Sequence, residues 1–246
     1  VAALRARALC RLAAVHTRED RYAAAETCAA DALAAARAAR DRPLQALALF
    51  RLAEARFRLF DNEAAARDAQ QAAALFAALG DRVGQGRALW AAGYAQDQLG
   101  HAQERDRLAA QALALAREAG DQEGIGAAAN LLYREHADMA LRLKGLKEAL
   151  AAFVAAGQPE RAGATLGNLA MAYGSIGLFA RARQPAGLTP GTAEPEELRQ
   201  GNPYYATMQS AIESQLGHHE QAHALAEQAA AAGGGIDDPW FQVILK

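Results

Sequence analysis

The sequence predicts an all-α protein, an α-solenoid in which about six helical hairpins stack into a right-handed superhelix. Three observations lead to this prediction. Alanine accounts for 68 of the 246 residues, and alanine has the highest intrinsic helix propensity. A helical pattern recurs about every 40 residues, and a polar turn and a second alanine-rich stretch follow each copy. Two helices per period of this length are typical of repeat proteins whose hairpins bury their faces against one another.

The first helices of the units share a small residue near the middle of the helix. Four stretches align: RALCRLAAVHTRED from residue 7, LALFRLAEARFRLF from 47, RALWAAGYAQDQLG from 87 and ATLGNLAMAYGSIG from 164. Their small residues are Ala13, Ala53, Gly93 and Ala170, with Ser210 in the same phase later. Glycine inside a helix costs about 1 kcal/mol relative to alanine, so Gly93 indicates a close approach of helices. A further copy, GIGAAANLLYREHAD, places Asn130 or Leu132 at the small position.

The second helices are predicted at residues 21–41, 63–81 and 102–121. Gly80 and Gly120 suit a left-handed helix end, and Asp81 and Asp121 can cap the helix that follows. The repeat array is expected to span residues 1–235.

Two segments depart from the repeat. Residues 184–203 hold four of the seven prolines, and proline breaks a helix interior. The segment is therefore predicted to form a loop followed by a short helix that starts near Pro195. It is interpreted either as a surface irregularity or as a hinge or a lid over the groove of the array. Residues 236–246 are expected to begin a further, truncated helix, because Asp238 and Pro239 form a helix-start pattern.

Charge and composition favour some function classes over others. Residues 1–60 hold 11 arginines and 6 acidic residues, whereas residues 61–246 hold 15 basic and 22 acidic residues. The arginines alternate with alanines instead of clustering with aromatic residues, which favours solvated helix faces over direct nucleic-acid binding. Cys10 and Cys28 show no disulfide or metal spacing, and no apolar run reaches the roughly 18 residues of a membrane span. We therefore expect a cytoplasmic protein with no membrane partner.

The stretch HEQAH at residues 219–223 matches the zinc-protease pattern H-E-x-x-H. Ala226 and Ala229 stand where the extended motif needs glycine and histidine. The surrounding LGHHEQAHALAEQA aligns instead with LGHAQERDRLAAQA at 99–112. We interpret His219 and His223 as residues of an ordinary second helix and predict no metal, cofactor or catalytic residues. A zinc-dependent hydrolase is the remote alternative.

Several positions resemble tetratricopeptide repeats. They are Tyr22 ahead of Ala25, Ala32–Leu33, Ala112–Leu113, and Leu169–Tyr173 followed by Gly177, Phe179 and Ala182. Arg105, where a small residue is usual, and the shifted Trp90 depart from the pattern. Units of about 40 residues resemble the regulatory arrays of bacterial multidomain transcription activators and class III adenylate cyclases.

The resemblance implies a groove lined by the first helices, which binds a protein or peptide, and effector domains of the same full-length chain as partners. The alternative is a receptor for a small ligand or a short signalling peptide. The groove positions that the resemblance implies are Arg11, Phe50, Arg51, Glu54, Phe57, Trp90, Tyr94, Asp97, Asn168 and Met171.

Overall fold

The computed structural model describes residues 1–183 and 203–233, and all regular secondary structure in these ranges is helical, which confirms the all-α prediction. The helices are α1 (Ala2–Arg18), α2 (Tyr22–Ala38), α3 (Arg42–Arg58), α4 (Asn62–Ala78), α5 (Arg82–Gln98), α6 (Ala102–Ala119), α7 (Gln122–Tyr133), α8 (Met139–Ala155), α9 (Pro159–Ser175), α10 (Phe179–Arg183), α11 (Pro203–Gln215) and α12 (His219–Gly233). The predicted helix of residues 236–246 and the Pro-rich stretch 184–202 lie outside the described residues.

A residue with left-handed backbone ends the helices at a regular interval. From residue 20 to residue 120 these positions are 20 residues apart: Asp20, Arg40, Phe60, Gly80, Gly100 and Gly120. Most of these half-units consist of a 17-residue helix and three connecting residues. Aspartate then starts several of the following helices, and the Asp81 carboxylate accepts a hydrogen bond from the Gly84 amide at 2.8 Å. Local chain chemistry therefore sets the hairpin length.

The hairpin of α7 and α8 departs from this interval. Helix α7 has 12 residues, and the next left-handed glycine is Gly157. In four other first helices the small residue comes eleven positions after the helix start, and in α7 that position holds Tyr133, not Asn130 or Leu132 as the sequence predicted. The Tyr133 ring lies directly on Gly145 of α8, where a Cβ would be 2.0 Å from the ring. A large residue at the small position is therefore matched by a glycine opposite.

The described chain divides into two compact units, one of residues 1–124 and one of residues 125–183 and 203–233. In the first unit each helix packs on the next one along the chain, and α3 also packs on α1 and α5. In the second unit α9 packs on α8, α10 and α11, and α11 packs on α12. Contacts between near neighbours of this kind are typical of helical repeats.

The small positions lie where helices meet. Ala13, Ala53, Gly93 and Ala170 are all buried. In α11 the Ser210 hydroxyl donates a hydrogen bond to the Ala222 carbonyl of α12 at 2.7 Å. A small side chain here lets a first helix approach the backbone of its second helix.

Candidate functional site: the face of α3 and α5

Three aromatic side chains of the first unit form one cluster. The ring centroid of Phe57 in α3 lies 4.8 Å from that of Tyr94 and 5.9 Å from that of Trp90, both in α5, and the centroids of Trp90 and Tyr94 are 6.0 Å apart. These distances are those of interacting aromatic pairs. Phe57 is buried, whereas Trp90 and Tyr94 are half-buried. The two helices thus present an indole and a phenol ring that are supported by a buried ring.

An ion pair lies one helical turn from Phe57. The Arg51 Nη1 atom donates to Glu54 Oε2 at 2.6 Å, and the Arg51 guanidinium lies 5.3 Å from the centroid of the buried Phe50 ring. Burial raises the pKa of the nearby Cys10 thiol, and the positive charge of Arg51 opposes that rise. We call Arg51, Glu54, Phe57, Trp90 and Tyr94 the α3–α5 face.

Arg87 of α5 is a further charged residue, and it interacts electrostatically with Glu54 of this face. Its Nε and Nη2 atoms donate to the two Asp121 carboxylate oxygens, each at 2.9 Å, and Nη2 lies 3.1 Å from Glu123 Oε2. The hydrogen bonds from Arg87 hold the pKa of Asp121 below its ordinary value. The same bonds raise the pKa of Arg87, and the negative charge of Glu54 adds to that rise. The sequence did not single out Arg87, because no local pattern links residues 34 positions apart.

Asp97 has a partner within its own hairpin. The Nη1 atom of Arg105 in α6 donates to Asp97 Oδ1 at 2.8 Å, and its Nε atom donates to Asp106 Oδ1 at 2.9 Å. Arg105 is buried, at 7% exposure. This pairing explains how an arginine fits where tetratricopeptide repeats usually have a small residue, and it gives the Asp97 carboxylate a role in joining α5 to α6.

The remaining groove candidates lie on other first helices. Arg11 is exposed on α1. In the second unit the Asn168 Nδ2 atom of α9 donates to Asn130 Oδ1 of α7 at 2.9 Å, and Met171 is half-buried. The structure therefore brings Arg51, Glu54, Phe57, Trp90 and Tyr94 together in one unit, and their binding role remains a prediction.

The histidines of HEQAH lie at the start of α12. His223 is exposed, and its Nε2 atom lies 3.6 Å from Glu227 Oε1. In the turn before α12, His218 Nδ1 is 2.7 Å from Glu213 Oε2, five residues earlier. His101 makes the same type of contact, with its Nδ1 atom 2.7 Å from Gln96 Oε1, also five residues earlier. The two aligned stretches thus share the turn geometry that the repeat predicts.

The residues that the structure describes contain no group of three or more His, Cys, Asp or Glu side chains placed to hold a metal ion. None of the described helices is both long and apolar enough to cross a membrane.

Comparison with solved structures identifies the fold. A Rap protein complexed with competence and sporulation factor superposes with a TM-score of 0.69 at 14% identity, over 94% of this chain and 64% of the Rap chain. The apo form of RapI gives 0.68 at 10% identity, over 95% and 85%. BtubC (BKLC) from P. vanneervenii gives 0.57 at 17% identity, over 94% and 92%. No protein-family model and no curated protein matches the sequence. The fold is that of a tetratricopeptide-type helical repeat protein, as the sequence predicts.

Proposed function

We propose that this chain is a protein- or peptide-binding scaffold and that the α3–α5 face is part of its binding surface. The observation that carries the proposal is the half-buried pair Trp90 and Tyr94 beside the Arg51–Glu54 ion pair. Trp, Tyr and Arg are the residues most enriched among binding hot spots. Because the buried Phe57 ring already supports both aromatic side chains, they have little conformational freedom to lose on binding.

The charged groups of the α3–α5 face suit a polypeptide partner. The side chains of Arg51 and Glu54 are 27% and 12% exposed. A guanidinium can donate to the carbonyl groups of a peptide, and a carboxylate can accept from its amide groups. Hydrogen bonds that involve a charged group contribute more than those between neutral groups. The face thus combines apolar ring surface with donors and acceptors.

The structural neighbours support a binding role. One of them is a Rap protein in complex with competence and sporulation factor, and this chain shares its fold. By extension, we propose that this chain is the cytoplasmic regulatory or sensor region of a larger bacterial signalling or transcription-regulatory protein. Effector domains of the same full-length chain would be its partners, and the repeat region itself would bind without catalysing a reaction.

The test is selection of ligands followed by calorimetry. A displayed library of random peptides is selected against the chain, and each binder is titrated into wild type and variants. We expect Arg51→Ala to weaken binding by at least tenfold, which is about 1.4 kcal/mol. Arg67→Ala is the matched control, since Arg67 is a 66% exposed arginine of α4, and its affinity should stay within about twofold.

Two outcomes would contradict the proposal. If wild type and Arg51→Ala bound the selected peptides with equal affinity and had the same helical circular dichroism, the binding surface would lie outside the α3–α5 face. Failure to select any peptide, together with saturable binding of a small metabolite, would favour the receptor for a small ligand.

A further inference from the structure

The two exposed rings of the α3–α5 face lie in the middle of one side of α5. Residues that follow one another at intervals of three or four positions share a side of a helix. Arg87, Trp90, Tyr94 and Asp97 follow this spacing. Arg87 therefore lies one turn before the rings and Asp97 lies one turn after them. We call these four residues the α5 row.

The Arg87 end of the α5 row carries more negative than positive charge. The Nε and Nη2 atoms of Arg87 donate to the Asp121 carboxylate, and Nη2 lies 3.1 Å from Glu123 Oε2. One guanidinium thus pairs with two carboxylates, and one positive and two negative formal charges leave a net charge of −1. The hydrogen bonds from Arg87 hold the pKa of Asp121 below its ordinary value, so its carboxylate is ionised at neutral pH.

The Asp97 end of the α5 row has the same composition. Arg105 of α6 donates to Asp97 Oδ1 at 2.8 Å and to Asp106 Oδ1 at 2.9 Å. One guanidinium again pairs with two carboxylates, and the formal charges again leave a net charge of −1. The rings of Trp90 and Tyr94 therefore lie between two charged groups that are each negative overall.

Both groups are near enough to act on a charge that binds to the rings. One helical turn rises by about 5.4 Å, and charges interact over about 10 Å at 0.1 M salt. Arg51 and Glu54, the ion pair of the neighbouring helix α3, add no net charge. A cation above a Trp or Tyr ring is also attracted by the ring itself. The rings and the two negative groups thus favour the same ligand, a positively charged group.

We propose that the Trp90–Tyr94 pair binds a basic side chain of the peptide partner, arginine in preference to lysine. This inference rests on the function proposed above, because it names the ligand group that the α3–α5 face takes. Arginine fits better than lysine, since its planar guanidinium stacks on aromatic rings and also donates to carboxylates. Glu123 and Asp106 are the more exposed carboxylates of the two ends, at 32% and 48%, and are the ones that a bound peptide meets.

The peptides selected against the chain from a displayed random library provide the test. We expect each tight binder to contain a basic residue. Each binder is also synthesised with citrulline in that position, because citrulline has nearly the shape of arginine but no charge. Calorimetry on wild type should show that the arginine form binds about tenfold more tightly than the citrulline form.

Neutralising the two exposed carboxylates should remove most of this preference. In the double variant Glu123→Gln, Asp106→Asn the affinity ratio of the arginine and citrulline forms should fall to about threefold or less. Each single substitution should lower the ratio by a smaller factor, and the citrulline form should bind all variants equally. Glu63→Gln is the matched control, since it removes the same charge from a 77% exposed glutamate of α4, and it should leave the ratio unchanged.

The outcomes separate this inference from the proposed function. Selected peptides without a basic residue, or with equal affinity in the arginine and citrulline forms, would overturn the inference and leave the binding role of the α3–α5 face intact. If the helical circular dichroism of the double variant matched wild type and the ratio did not fall, the basic residue would bind elsewhere, and the inference would again be wrong. If no peptide were selected, the proposed function and the inference would fail together.

Discussion

At the scale of single residues, Asp121 links a helix start to an ion pair. Its carboxylate accepts both hydrogen bonds from Arg87 and also accepts from the backbone amides of Glu123 and Gly124. All of these interactions favour the ionised form, so the pKa of Asp121 is lower in the folded chain than in the unfolded one. The carboxylate therefore stabilises the fold above its ordinary pKa of about 4, and this stabilisation is lost as the pH falls through the folded pKa.

Asp121→Asn should lower the free energy of unfolding by about 1–3 kcal/mol at pH 7, because the change removes charge-assisted hydrogen bonds from a side chain that is only 9% exposed. The difference from wild type should shrink as the pH falls below about 4. Urea denaturation at several pH values measures both effects. Glu63→Gln is the control, since Glu63 is 77% exposed and lies 3.9 Å from Arg67, and it should change little. If the difference in the free energy of unfolding between wild type and Asp121→Asn stayed constant down to pH 3, it would contradict the conclusion that folding lowers the pKa of Asp121.

The sequence could predict Asp121 as a helix cap because it follows Gly120, and a cap depends on neighbouring residues alone. It could not predict the Arg87 partner or the Asp97–Arg105 pair, because both depend on how two helices pack. The sequence predicts Phe57, Trp90 and Tyr94 only as separate groove positions, and the packing of α3 on α5 is what shows that their rings are in contact.

At the scale of elements, the left-handed residue that ends each half-unit is the most regular feature. Glycine occupies most of these positions, but Asp20, Arg40 and Phe60 occupy the first three, with φ of 55°, 53° and 62°. An L residue in this conformation costs about 1–2 kcal/mol, whereas glycine adopts it freely.

A reciprocal pair of substitutions tests this cost. Gly80→Ala should destabilise the chain by about 1 kcal/mol, and the backbone conformation alone explains the loss, because no atom lies within 4 Å of the added Cβ. Arg40→Gly should stabilise the chain by about 0.5 kcal/mol, the difference between relieved strain and greater freedom of the unfolded chain. Thermal unfolding measures both changes. Changes of the same sign would show that another interaction dominates at these turns.

The second helices predicted at 21–41, 63–81 and 102–121 begin and end within three residues of α2, α4 and α6, because the Gly–Asp turns at 80–81 and 120–121 are local patterns. The shortened α7 could not be placed in the same way. The shortening appears in the sequence only as a spacing of 77 residues between Gly93 and Ala170, which is less than two full repeat periods. The compensating contact of Tyr133 with Gly145 joins two helices. The register of this copy could therefore be assigned only from the structure.

At the scale of the whole molecule, the fold could be predicted because a repeat protein uses the same packing many times. A pattern that recurs in several copies is readable even where one copy is irregular. A partner is harder to predict, since binding depends on the residues that differ between copies. Glu54 and Tyr94 stand 40 positions apart at the same place in α3 and α5, and one is a carboxylate where the other is an aromatic ring. Such differences shape the α3–α5 face.

The fluorescence of Trp90 tests the binding role of this face most directly. The sequence has two tryptophans, and Trp240→Phe leaves Trp90 as the single one. Each peptide selected against the chain is titrated into this variant while the Trp90 emission is followed. We expect a saturable change in the emission, with the same midpoint as the heat of binding, because the peptide covers the half-buried indole ring. A full heat of binding with an unchanged Trp90 emission would contradict the assignment of the α3–α5 face as the binding surface.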